Sequence, residues 1–396
     1  MENLSARIQE EVRQSLQNND LASAASKIRG FLCQEESIPL NIAVTGEAGS
    51  GKSTFVNAIR GVDNRDEGAA PTGCVETTME PTPYPHPHFP SITVWDLPGI
   101  GTMKFPADKY LEHVGFERFD FFIIISAERF RENDSKLAKE IQKTGKKFYF
   151  VRSKIDDNIR NEKRSQRDFN EAQSLKRIRK YCVEGLQKEG CQSPQVFLIS
   201  SFELHLYDFP LLEETLEREL PQHKRDTFLL AMPNMSQEII NRKKEAYSYN
   251  IKYYSALSAA AGGVPMPGLG AAVDTGLVAH VVNQYVIGFG LDRPSLQRLS
   301  DSTGVPLDEL MKVIFSPLAT NEVTSDVIVK ILAQSASAVA LMAAEEAVKF
   351  IPLLGILTSM TLSFTTTYRA LSLLLQELAD DAQRVFRRAL GLNTTV

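Results

Sequence analysis

Residues 46–54 read Gly46-Glu47-Ala48-Gly49-Ser50-Gly51-Lys52-Ser53-Thr54, which has the spacing G-x-x-x-x-G-K-[ST] of a loop that wraps phosphate. Glycines let such a loop turn tightly and bring backbone N–H groups onto anionic oxygens. Lys52 can reach the terminal phosphates, and the Ser53 hydroxyl can enter the shell of Mg²⁺. Thr54 then continues into a helix whose N-terminus favours negative charge. The flanks suit this chemistry: apolar Leu40-Asn41-Ile42-Ala43-Val44 precedes the loop, and periodic Phe55-Val56-Asn57-Ala58-Ile59 follows it. Gly46, Gly49, Ser50, Gly51, Lys52, Ser53 and Thr54 are therefore expected to bind a nucleoside triphosphate. The loop does not say which base.

Three further clusters narrow the chemistry. Asp96-Leu97-Pro98-Gly99 closes the second apolar strand and gives a D-x-x-G element, where Asp96 can hold Mg²⁺ through water and the Gly99 N–H can sense the γ-phosphate. Ser153-Lys154-Ile155-Asp156 is a variant of the guanine signature N-K-x-D, with serine first. The Asp156 carboxylate can accept from guanine N1–H and the 2-amino group. Adenine has neither donor, so it would leave a buried carboxylate unpaired. The Lys154 stem can pack over the base, and Ser200-Ser201 falls where a loop N–H can reach guanine O6. GTP or GDP with Mg²⁺ is the expected ligand.

One position departs from small signalling GTPases: Ile100 follows Gly99, where a glutamine would orient the attacking water. That task must fall elsewhere, and the segment Thr72-Gly73-Cys74-Val75-Glu76-Thr77-Thr78-Met79-Glu80 is the nearest source. Glu76 is the candidate for orienting water. Thr78 is the choice for a second hydroxyl on Mg²⁺, with Thr77 and Thr72 as alternatives.

The elements that must position these residues form three zones. Residues 1–36 carry Leu4, Ile8, Val12 and Leu16 at helical spacing, then Leu21, Ile28, Phe31 and Leu32 after a polar break. Residues 37–225 alternate short apolar runs with helical segments, the rhythm of a mostly parallel sheet with helices on both faces. The runs are 40–44, 92–95, 121–125, 147–151 and 196–199. In residues 226–396 the strand signals stop and long helices are expected. The fold class is thus α/β plus all-α, a phosphate-loop domain with helical segments before and after it.

Composition excludes several other classes. The 396 residues are too many for one ordinary core. Lys+Arg 44 against Asp+Glu 49 leaves a net charge of −5, which gives no support to nucleic-acid binding. Cys33, Cys74, Cys182 and Cys191 lack the spacing of a zinc site or disulfide framework, so reduced thiols in the cytosol are expected. Two uncharged stretches, Tyr253 to Val273 and Phe350 to Tyr368, are broken by Gly262-Gly263 and Pro265, and by Pro352 and Gly355. They read as buried helices rather than membrane spans. Amphipathic contact with a membrane surface has candidates at 269–287 and 350–375.

The strings GEAGSGKSTFVNAIRG, GAAPTGCVETTMEPTPYPHP, WDLPGIG, KFYFVRSKID, FLISS and LYDFP resemble the immunity-related GTPases, the interferon-inducible type with a lysine in the phosphate loop. The motifs cover residues 40–221. The resemblance implies a Ras-like G domain (mostly parallel sheet with helices on both faces) inserted in a bipartite helical domain. It implies a GTPase whose G domains dimerise or oligomerise with GTP and which acts on membranes around intracellular pathogens. It also implies that Glu76 matches the family's proposed catalytic glutamate. Several relatives carry a myristoyl chain on a glycine after the initiator methionine. Glu2 stands there in this chain, so no N-myristoylation is expected, and peripheral membrane contact would rest on the helical part. The alternative reading is a guanine-nucleotide-binding regulator or scaffold with negligible turnover, as the absent glutamine would allow.

Overall fold

The computed structural model of the protein describes residues 2–73, 78–100, 107–127, 132–261, 264–265, 272–320, 322–341 and 345–392. Two compact units divide the chain: Met1–Ser37 with Ser236–Val396, and Ile38–Met235.

The first unit opens with helices α1 (Glu2–Gln17) and α2 (Leu21–Glu36). Asp20 caps α2 by accepting from the Ser23 N–H, so the polar break seen in the sequence is a helix start.

In the second unit, six strands form one sheet: β1 (Leu40–Gly46), β2 (Thr82–Pro85), β3 (Ile92–Asp96), β4 (Phe121–Ser126), β5 (Lys147–Arg152) and β6 (Val196–Leu198). Their order is β2-β3-β1-β4-β5-β6, parallel throughout except for antiparallel β2 at the edge. The sequence rhythm gives five of these strands and misses β2. Pro83 and Pro85 cannot donate to a ladder, so this strand can exist only at an edge, and its residues are half-buried or exposed. β4 is buried on both faces, which is why its sequence is a continuous apolar run rather than an alternation.

The helices of this unit are α3 (Lys52–Ile59), α4 (Ala107–Val114), α5 (Glu132–Lys143), α6 (Ile155–Ser165), α7 (Glu171–Lys188), α8 (Phe209–Glu219) and α9 (Gln222–Ala231). One core joins Phe122, Ile124 and Phe150 of the sheet to Leu137 and Ile141 of α5 and Leu186 of α7. Each such buried side chain contributes about 1.5–3 kcal/mol of burial free energy. Residues 225 and 226, where the sequence rhythm changes, lie inside α9, and the compact unit runs on to Met235.

The first unit resumes with α10 (Gln237–Ala261) and α11 (Thr275–Gly288), and it ends in a 29-residue helix, Thr361–Ala389. α10 packs along that last helix through small and hydroxyl residues, with Ser258 Oγ 3.2 Å from Thr367 Oγ1. Those hydroxyls explain uncharged stretches that are still polar: they sit inside a helix bundle. Among the described residues, no helix is long and apolar enough to cross a membrane. The expectation of helices alone after residue 226 needs one correction. Val264–Pro265 pairs antiparallel with Ala272–Val273, a two-residue ladder at the glycine- and proline-rich break. Glycine and proline end helices, and backbone freed from a helix must find partners elsewhere.

Candidate functional site

All five parallel strands deliver their carboxyl ends to one edge of the sheet, the edge where open α/β sheets bind ligands. The residues picked out from the sequence follow directly: 47–51 after β1, Asp96–Gly99 at the end of β3, Ser153–Asp156 after β5, and Ser200-Ser201 after β6.

The phosphate loop is shaped by its glycines. Gly46 has φ 141°, and a Cβ there would stand 2.1 Å from the Ile125 carbonyl oxygen of β4. Gly51 caps α3 with φ 93°, in the left-handed region that other residues avoid. Lys52 is buried and donates to the Glu47 carbonyl at 2.9 Å, so its ammonium lies back across the loop. Glu47 in turn accepts from Asn133 of α5 at 3.1 Å.

Beside the loop, three oxygens from three chain segments meet. Asp96 Oδ2 accepts from Ser53 Oγ at 2.6 Å and from Thr78 Oγ1 at 2.9 Å. Asp96 Oδ1 is buried with no hydrogen-bond partner among the described residues. Burial pushes the Asp96 carboxyl above its ordinary range, while the bonds from Ser53 and Thr78 and the charge of Lys52 pull it back. An orphaned carboxylate oxygen beside two hydroxyls is a donor set for a hard divalent cation such as Mg²⁺, which takes oxygen ligands and leaves room for phosphate and water. A cleft of about 570 Å³ opens here, walled by Gly49, Lys52, Thr72, Thr78, Gly99 and Lys154 among others.

Ile100 is 2% exposed and belongs to the core, its N–H donating to the Gly46 carbonyl at 3.2 Å. Its side chain therefore packs away from any water that attacks phosphate. Glu76 and Thr77 lie outside the described residues. Of the three threonines weighed for the metal, Thr78 touches Asp96 and Thr72 lines the cleft.

The base side is tied from behind. Ser153 Oγ donates to the Ser50 carbonyl at 2.7 Å, and its N–H donates to the Ser126 carbonyl at 2.8 Å. Lys154 takes φ 55° as the cap of α6, and its ammonium reaches the Gly49 carbonyl at 2.9 Å. The Ile155 N–H donates to the Ile199 carbonyl at 3.1 Å, which joins this loop to the one carrying Ser200 and Ser201. Ser200 Oγ accepts from the Phe202 and Glu203 N–H groups at 3.2 and 3.3 Å, a turn that fixes the loop. Asp156 is half-buried, with the Arg160 guanidinium 3.7 Å away.

Reading motifs alone misses the supports. Arg152, 4% exposed at the end of β5, donates to the Ser153 carbonyl at 2.9 Å and to Asn158 Oδ1 at 2.7 Å, bracing the guanine loop. Tyr110 of α4 donates to the Pro98 carbonyl at 2.8 Å and lies 2.8 Å from Thr45 Oγ1, holding the D-x-x-G turn against β1. A charged Arg at the end of an apolar strand was the one visible signal; nothing marks Tyr110.

Sheet order, the phosphate loop after β1 and the guanine motif after β5 define the class: this is a phosphate-loop GTPase, an enzyme that binds guanine nucleotides and hydrolyses GTP. The chain belongs to the interferon-inducible GTPase family, whose sequence model, described as Interferon-inducible GTPase (IIGP), matches residues 5–389. It is 42% identical to Interferon-inducible GTPase 5 of Rattus norvegicus over 98% of this chain and 83% of that one. It is 43% identical to Interferon-inducible GTPase 5 of Bos taurus, over 96% of this chain and 82% of that one. It is also 43% identical to T-cell-specific guanine nucleotide triphosphate-binding protein 2 of Mus musculus, over 74% and 71%.

Proposed function

We propose that this GTPase holds the triphosphate along Gly49–Thr54, with Lys52 on the terminal phosphates and guanine on Asp156. Ser53 and Thr78 would hold Mg²⁺ directly and Asp96 would hold it through water. The meeting of Ser53, Asp96 and Thr78 carries this reading, because it joins the phosphate loop, the D-x-x-G turn and the segment before β2 in one oxygen cluster. When bound, Mg²⁺ would supply positive charge to offset the negative charge that develops on the phosphates. The protein's own part is to place the phosphates by Lys52 and backbone N–H groups and to exchange the Ser53–Asp96–Thr78 bonds when the ligand arrives. Glu76 is our choice for orienting water, since buried Ile100 cannot do so.

A segment that carries the water-orienting group must be ordered against the γ-phosphate, and a second G domain can offset the entropy of ordering it. We therefore place hydrolysis in a GTP-dependent dimer or oligomer formed through G domains. The work of that cycle would lie in interferon-linked innate immunity at intracellular membranes. Exposed Val348, Leu353 and Leu362 of the helical unit offer apolar contact for a peripheral, reversible attachment. The test is GTP turnover per molecule across protein concentrations, paired with light scattering. Specific activity should rise with concentration alongside a GTP-dependent gain in mass, and Glu76→Ala should abolish the rise while keeping GDP affinity. Flat, near-zero activity with constant mass would favour the scaffold alternative instead.

A further inference from the structure

Asn57 lies on α3, one turn after Ser53, and is 1% exposed. A polar residue in the buried stripe Phe55-Val56-Asn57-Ala58-Ile59 needs partners, and its amide finds three. Nδ2 donates to the Ala70 carbonyl at 2.9 Å and to Asn64 Oδ1 at 2.8 Å, while Oδ1 accepts from the Ala70 N–H at 2.7 Å. Both polar groups of Ala70 are thus paired with one side chain, as a neighbouring strand would pair them. The Asn57 carbonyl also accepts from the Val62 N–H at 2.9 Å.

Nearby Arg60, 6% exposed, donates to the Pro85 carbonyl at 3.1 and 3.0 Å and to the Gly68 carbonyl at 3.3 and 3.4 Å. Two buried side chains, Asn57 on α3 and Arg60 at its C-cap, therefore grip the connection that leaves the helix. Two residues after Ala70, that connection supplies Thr72 and Gly73 to the cleft, whose lining also includes Thr78 and Gly99. Breaking the Asn57 pair would leave buried amide groups unsatisfied. Arg60 anchors the same connection, but at Gly68 and at β2, farther along the chain from the cleft wall.

We infer that Asn57 is a positioning residue for GTP hydrolysis: by fixing Ala70 to α3, it sets where Thr72 and Gly73 meet the triphosphate. The inference rests on the reading that phosphates occupy the Lys52 cleft. Thr72 and Gly73 line the same cleft as Thr78 and Gly99, the groups proposed to meet the metal and the γ-phosphate, so their displacement should slow turnover far more than it weakens GDP.

In Asn57→Ala, kcat should fall on the order of 10- to 100-fold, the effect of displacing a positioned group by about an ångström. GDP affinity should stay within about threefold of wild type, because GDP lacks the γ-phosphate that this part of the cleft is proposed to meet. Asn57→Asp keeps the acceptor for the Ala70 N–H but turns a carboxylate on the Ala70 carbonyl and Asn64 Oδ1, so it should be equally slow. Unchanged kcat, or kcat and GDP affinity falling in proportion with a lower melting temperature, would overturn the assignment in favour of a plain packing role. Should the variants fail to fold, hydrogen exchange on the wild-type GDP complex decides. The Ala70 amide should be strongly protected, and exchange as fast as that of its exposed neighbour Gly68 would overturn the clamp. Lys52→Ala tests the cleft reading by itself: retained nucleotide binding there would remove that reading while leaving the Ala70 exchange result standing.

Discussion

On the phosphate side of the cleft, the groups proposed to touch ligand are bonded to one another. Ser53 and Thr78 both donate to Asp96, and Lys52 donates to its own loop at Glu47. On the base side, the internal bonds lie behind the reader. Ser153 is fastened to Ser50 and Ser126, Arg152 braces the Ser153 carbonyl, and the Asp156 carboxylate has only a distant Arg160 guanidinium as its described ion-pair partner. In the proposed reading the base side would take its ligand with little rearrangement. The phosphate side, in the same reading, would trade protein partners for phosphate and metal, and such an exchange can register which phosphate is present. Preorganisation serves recognition, and exchangeable bonds serve switching.

The base side should show the largest effect. GDP should bind over ADP by on the order of 10⁴-fold, the discrimination of a site built to satisfy hydrogen-bonding groups. Asp156→Asn should erase most of that and admit xanthosine diphosphate, as competition binding would reveal. Comparable ADP and GDP affinities in the wild type would break the comparison at its base-side half. Next comes Lys52→Ala, which should weaken both GTP and GDP on the order of 100-fold in titration calorimetry, since a charged hydrogen bond is lost in both complexes.

The smallest effect is the most informative about switching. Ser53→Ala should lower the preference for the Mg²⁺-loaded triphosphate over the diphosphate by about tenfold, the worth of one exchanged hydroxyl contact. Equal weakening of both nucleotides would mean that the Ser53–Asp96–Thr78 cluster is scaffolding, no different in kind from Ser153 and Arg152.

Much of this arrangement was legible in the residues, and the parts that were not share a cause. Strands such as Phe121–Ser126 announce themselves because burial on both faces favours an unbroken apolar run, here Phe121 to Ile125. Thr82–Pro85 does not, because its prolines read as loop until a neighbour, β3, is there to pair with. Asn57 stood in plain view as a polar residue in an apolar stripe, yet only its partner Ala70, thirteen residues on, gives it a task. The two-residue ladder at Val264–Pro265 and Ala272–Val273 is too short to leave a periodic trace.

The sequence by itself determined the chemistry of the phosphate loop. Glycine conformations, the lysine and the helix start are all specified within nine adjacent residues, where local backbone sterics decide the shape. It also determined the alternation of strands and helices, through periodicities of two and 3.6. Tertiary structure decided which distant residues face one another. Ser53 meets Asp96 and Ser153 meets Ser50 because β1 lies between β3 and β4, and β4 beside β5. The physical reason is that such pairs are fixed by the order of strands in a sheet, a property of the packed core that no local propensity encodes.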